Sequence, residues 1–153
     1  MSALLEVADA IAAQLNSRVF RLPFTAVRSY ADFDAAIDHD GLTVEVVPVE
    51  NVPTELLTRG SVQYVCSADI VIRERLTFDA SGQVKAQDVD DRVALIEELN
   101  EWLMMRQLDY DARWEATTIV AAVVHQHLRE WNQFTGIIRI RYTLTRDLKH
   151  ADV

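Results

Sequence analysis

The chain has 153 residues, 50% hydrophobic and 25% charged, with four glycines, three prolines and one cysteine. That composition bounds it to one globular domain, spanning 1–153, with a sizeable core and little linker. Fifteen Lys and Arg stand against 24 Asp and Glu, a net charge of −9 with no basic run, which argues against tight neutralisation of nucleic-acid phosphates.

No apolar run approaches the ~18–20 residues of a membrane span. The first six residues lack a basic n-region, so no signal peptide is expected. Cys66 is alone, which leaves no partner for an internal disulfide. It sits among apolar neighbours and reads as a small core residue.

In chain order, Leu4, Ala8, Ile11, Ala12 and Leu15 recur at helical spacing. Ser2 is positioned to cap that helix, and Asn16 and Ser17 to end it. Residues 25–30 read as a short strand. The acidic stretch 32–38 suits a helical turn, and His39-Asp40-Gly41 is a turn signal. Residues 42–49 are rich in β-branched side chains and predict a second strand, with Pro48 marking an edge or an end. Residues 51–60 read as a loop, in which Pro53-Thr54-Glu55 suits one helical turn.

Residues 61–77 carry the strongest signal. Val62, Tyr64, Cys66, Ala68, Ile70, Ile72 and Leu76 alternate with Gln63, Ser67, Asp69, Arg73, Arg75 and Thr77. Period-two alternation predicts a strand with one face on a core. At about 3.3 Å per residue it would span roughly 55 Å, against a diameter of about 40 Å for a globule of this size. A strand bending or projecting beyond the body, with backbone open to a second subunit, is the expectation.

Asp79-Ala80-Ser81-Gly82 is a turn. A helix over 88–107 follows, with Asp88 as the expected N-cap and Val89, Val93, Ile96, Leu99 and Leu103 as its apolar stripe. Residues 117–125 suit either a strand or a helix running on to Leu128, and the β-branched density favours strand. Residues 134–145 form a clean strand: Phe134, Ile138, Ile140, Tyr142 and Leu144 on one face, Thr135, Arg139, Arg141, Thr143 and Thr145 on the other. The sum is helix, three strands, helix, two strands. That predicts an α+β domain in which two helices pack on one face of a mostly antiparallel sheet.

The chemistry legible at this level is sparse. His125-x-His127 on one strand face would offer two metal ligands, with no third in view. No Gly-rich phosphate loop, nucleophile elbow or His-Glu-x-x-His run is present, so no catalytic residue, metal ligand set or cofactor emerges. Arg73 with Arg75, and Arg139 with Arg141, lie at i, i+2 on the non-core face of their strands. If those strands were neighbours they would display a row of arginines suited to an acidic surface of another subunit. Trp102, beside the stripe of the second helix, is a core flank or an interface residue.

The order of segments goes further. A short strand and an acidic turn precede Leu42-Thr43-Val44-Glu45-Val46-Val47-Pro48. Thr58-Arg59-Gly60 leads into Tyr64-Val65-Cys66-Ser67-Ala68-Asp69-Ile70-Val71-Ile72-Arg73. The amphipathic run Asp91-Arg92-Val93-Ala94-Leu95-Ile96-Glu97-Glu98-Leu99 comes next, and Phe134-Thr135-Gly136-Ile137-Ile138-Arg139-Ile140-Arg141-Tyr142 closes it. This succession resembles the tail terminator and related neck, or head–tail joining, proteins of long-tailed bacteriophages, over roughly residues 4–145. The resemblance implies a virion protein without catalytic residues, assembled in the host cytoplasm into a homo-oligomeric ring, by family analogy a hexamer. Such a ring caps the tail tube protein, meets the head connector or stopper protein, and lets genomic DNA pass through its lumen. A head-completion or stopper protein of the neck is the nearest alternative. A small adaptor that binds by strand addition, or a metal-binding enzyme using His125 and His127, belongs to another class.

Overall fold

The computed structural model describes residues 2–30, 32, 34–38, 40–58, 60–108 and 111–147. The elements are α1 (Ala3–Asn16), β1 (Ala26–Arg28), β2 (Thr43–Thr58), β3 (Ser61–Arg75), α2 (Ala86–Leu103), β4 (Arg113–Ala121), α3 (His125–Trp131) and β5 (Gln133–Asp147). The five strands form one sheet in the order β1-β2-β3-β5-β4. Only the β1–β2 pair is parallel. The α+β class, the mostly antiparallel sheet and the expected order of elements hold, with α3 added between the last two strands.

α1 starts where expected. The Leu5 N–H donates to Ser2 Oγ at 3.5 Å, satisfying one of the donors that a helix start leaves unpaired. At the other end Asn16 clamps β1. Its Nδ2 donates to the Ala26 carbonyl at 2.8 Å, and the Ala26 N–H donates to its Oδ1 at 2.7 Å. α2 begins three residues earlier than its aspartates suggest. Lys85 is the N-cap, with no side-chain cap bond, and Asp88 lies inside the first turn, 3.9 Å from Arg92.

α1 and α2 cover one sheet face. Val7, Ile11 and Leu15 of α1 and Leu95, Ile96, Leu99 and Leu103 of α2 form one buried cluster with Ile70, Ile72, Ile138, Ile140 and Tyr142. Tyr64 packs against it partly buried. Leu95, fully buried, widens the apolar stripe beyond the expected positions.

The long strand is central. Each β3 residue from Ser61 to Arg75 has a partner on β5, running from Asp147 to Gln133, and β2 lines its other side from Thr58 back to Thr43. Its backbone is therefore paired on both sides, which corrects the expectation of backbone open to a second subunit. Its length is matched by equally long neighbours. The expected loop over 51–60 is also corrected: β2 runs through to Thr58 as an antiparallel partner of β3. Pro48 and Pro53 are tolerated because β1 reaches only Val44–Val46 of β2. Ser29 N–H bonds the Val46 carbonyl, so Val46 faces the outer edge, and Pro48, two residues on, faces it too. A missing N–H there breaks no ladder bond. Register shifts beside both prolines mark bulges, and bulges with prolines discourage pairing with another chain at that edge.

The 117–125 segment is divided. β4 starts earlier, at Arg113, and ends at Ala121, and α3 follows from His125. α3 stops at Asn132, whose φ of 51° is left-handed, a conformation that asparagine tolerates better than most residues. The turn over 79–82 is as expected: Asp79 Oδ1 accepts from the Ser81 and Gln83 N–H groups at 2.9 and 3.0 Å. His39, Arg59 and residues 149–153 lie outside the described residues. No described helix is long and apolar enough to cross a membrane.

Candidate functional site

The second sheet face, opposite α1 and α2, carries the charged side chains singled out in the sequence. Strand pairing sets Arg139 opposite Asp69 and Arg141 opposite Ser67, whereas Arg73 sits opposite Thr135 and Arg75 opposite Gln133. The two pairs share a face but occupy different stretches of it. The expected single row of arginines is corrected to two separate sites, because the strands are antiparallel.

The first site is closed. Arg73 is only 5% exposed. Its Nη2 donates to Glu45 Oε1 at 2.9 Å, and its Nη1 to the carbonyls of Asp32 and Ala35 at 3.3 and 3.4 Å. Arg75 donates to the Ile37 carbonyl and lies 4.0 Å from Asp40. The Ile37 N–H donates to Gln133 Oε1 at 2.8 Å, and Ile37 is buried, as are Val71 and Ile137, outside the main cluster. The 32–38 segment thus straps this end of the face. Arg73 holds the strap from beneath and cannot meet another subunit, which corrects its assignment to a contact surface. Among the described residues Glu45 Oε2 and Arg73 Nε have no hydrogen-bond partner, so within that set the enclosed pair is incompletely satisfied.

α3 closes the same end. His127 Nδ1 lies 2.8 Å from Thr135 Oγ1, and its ring packs on Trp131 at 4.5 Å between centroids. His127 is buried and His125 exposed. On a helix, residues two apart point to different sides, so the two imidazoles do not converge. The strand-face metal pair is corrected accordingly. Among the described residues no group of three or more His, Cys, Asp and Glu is placed to hold a metal ion.

The second site is open. A groove of about 490 Å³ runs across β2, β3, β5 and β4, lined by Glu50, Val52, Ser67, Glu115, Thr118 and Arg141 among others. Arg139 grips Asp69 with Nε–Oδ1 2.8 Å and Nη2–Oδ2 3.0 Å. That two-pronged bond raises the guanidinium pKa above its ordinary value, with burial opposing it. Glu115 accepts from Thr143 Oγ1 at 2.6 Å and lies 3.5 Å from Arg113. Arg141, on the groove floor and exposed, has no carboxylate partner among the described residues. Among the described residues the groove therefore offers Arg141 as a cation without a carboxylate, between paired charges.

Trp102 lies elsewhere, half-buried on the helical side. Phe20 meets it edge-on at 5.1 Å, and the Arg106 guanidinium covers its ring at 4.1 Å. It flanks the core on the sheet face opposite Arg73, Arg75, Arg139 and Arg141. Sequence reasoning missed Asp69 as the partner of Arg139, Glu45 as the partner of Arg73, and Arg106 over the Trp102 ring. The i, i+4 spacing of Trp102 and Arg106 was the one local signal for the last.

A scan against protein-family models finds no match, and a search of the curated proteins finds none either.

Proposed function

We propose that this protein is a structural subunit of the neck or tail end of a long-tailed bacteriophage, acting as a tail terminator. Copies assemble into a ring, six by family analogy, that caps the tail tube, meets the head connector and leaves a lumen for DNA. The order of segments supports this reading. The observation that carries it is the groove on the uncovered part of the sheet's second face. It is broad, flat-floored and charged, the kind of surface that a neighbouring subunit covers. In the ring Arg141 meets a carboxylate of the next subunit, while Arg139 and Asp69 stiffen the floor beside it.

The net charge of −9 suits a conduit. A polyanion slides past acidic or neutral walls, whereas a basic lumen would trap it. The subunit is accordingly expected to show no salt-sensitive micromolar affinity for duplex DNA.

Light scattering and electron microscopy test the reading. Wild type should form closed particles at a fixed multiple of the 17.4 kDa subunit mass, with tail tubes present if not alone. Arg141→Glu should melt like wild type yet assemble poorly. A single 17.4 kDa species at every concentration, with or without tubes, would overturn it.

A further inference from the structure

The strap over Arg73 is tied down by a circuit of buried polar groups. Among the described residues, 34–37 make no backbone bond to a strand. Side chains beneath hold them instead. The Ile37 N–H donates to Gln133 Oε1. A backbone N–H can only donate, so the atom it meets is the amide oxygen, and the orientation of the Gln133 amide is fixed. Gln133 Nε2 then donates to Thr135 Oγ1 at 2.9 Å. Among the described residues the one acceptor for the hydrogen of that hydroxyl is His127 Nδ1, 2.8 Å away. A neutral imidazole that accepts at Nδ1 carries its hydrogen on Nε2, and Nε2 faces Asp34 Oδ1 at 3.7 Å. The circuit leaves the strap at Ile37 and returns to it at Asp34. Its inner members, Gln133, Thr135 and His127, are at most 3% exposed.

Little apolar contact adds to these bonds. Of residues 34–38 only Ile37 is buried, so one apolar side chain stands against the ordering of a whole segment of backbone. The bed beneath the strap is polar. Glu45 Oε2 and Arg73 Nε lack hydrogen-bond partners among the described residues, and water admitted by an open strap would satisfy both, which favours opening. The links that resist it are directional and depend on one another. The Asp34 link is the longest of them, and its carboxylate is largely exposed.

We propose that residues 34–38 form a latched strap that opens as one unit on an otherwise folded sheet, with Gln133, Thr135 and His127 as its latch. Opening uncovers Arg73 and Glu45, which lie on the same sheet face as the groove, and so lengthens the open surface along β3 and β5. Local openings of this kind require far less free energy than global unfolding. The device belongs to a single subunit and does not depend on the ring.

Native-state hydrogen exchange of the full chain, read by NMR at single amides, tests it. The Ile37 amide should be protected relative to a free peptide amide, yet exchange at least about tenfold faster than those of Ile138 and Ile140. Low urea should speed the two β5 amides and barely change Ile37, because opening a short segment exposes little surface. Asp34→Ala, a change at an exposed side chain, should speed Ile37 by at least about threefold and leave the β5 amides as they are. Thr135→Val cuts two links and should speed Ile37 further. Adding Asp34→Ala to it should then have no additional effect, because the circuit is already broken. If Thr135→Val fails to fold, His127→Phe, which keeps a ring against Trp131, replaces it; if both fail, Asp34→Ala decides alone. Four results would overturn the proposal. They are an Ile37 amide that exchanges together with the β5 amides and shares their urea dependence, an Ile37 amide with no protection, an Asp34→Ala protein whose Ile37 exchange is unchanged, and effects of the two substitutions that multiply as independent ones do.

Discussion

Gly136 lies in β5 where α2 crosses the sheet, and a methyl group there has nowhere to go. A Cβ built at that position would sit 2.4 Å from Ile96 Cδ1, 2.9 Å from Ile96 Cγ1 and 3.3 Å from the Ala122 carbonyl oxygen. Ile96 is fully buried, so it cannot swing into solvent. It must adopt a strained rotamer or push α2 off the sheet. Overpacking of this kind costs about 1–3 kcal/mol. For a domain of this length each kcal/mol lowers the melting temperature by about 2–4 °C, so Gly136→Ala should melt roughly 2–12 °C lower. Ile96→Val removes the Cδ1 atom that makes the closest contact, and alone costs about 0.5–1.5 kcal/mol. Combined, the two changes should destabilise less than their sum by at least about 0.5 kcal/mol, because they relieve one clash. Urea and thermal unfolding of the four proteins measure the cycle. A Gly136→Ala protein as stable as wild type, or strictly additive variants, would refute the close approach of α2 to β5.

Ile140→Asp places a carboxylate in the fully buried cluster with no partner, and should give insoluble or non-cooperatively folding protein; a soluble protein with a sharp unfolding transition would contradict the core. Arg73→Glu should lose about 3–5 kcal/mol, because it leaves Glu45 enclosed without its cation. Arg141→Glu, on the exposed groove floor, should change stability by no more than about 0.5 kcal/mol, and equal effects from the two would refute the strap over Arg73. Burial pushes the Cys66 thiol from 9.0 up to about 11. The unfolded chain then loses its proton first, and denaturation should show stability falling as pH rises from about 9 through 11; a native thiol that reacts rapidly at neutral pH would show the site to be open.

What the sequence determined by itself was periodicity and its consequences. A period of 3.6 placed α1, and a period of two placed β3 and β5 with the right residues on the core, since both patterns are properties of a local backbone and need no knowledge of neighbours. Ser2 as a cap and the turn at Asp79 were equally local. Everything that depended on what lies across the sheet was decided by the tertiary structure. Pro48 read as an edge or an end and Pro53 as the start of a helical turn in a loop, yet β2 runs through both, because an outer edge asks no N–H of them. Arg73 and Arg139 were placed on one face correctly, but spacing does not say what covers a face. A segment 38 positions away in sequence buries Arg73, and Arg139 finds its acid 70 positions away in Asp69. The same alternation therefore yields an enclosed ion pair at one end of the sheet and an open groove at the other. The difference lies in which distant segment folds over it, a matter of long-range packing that no local pattern encodes.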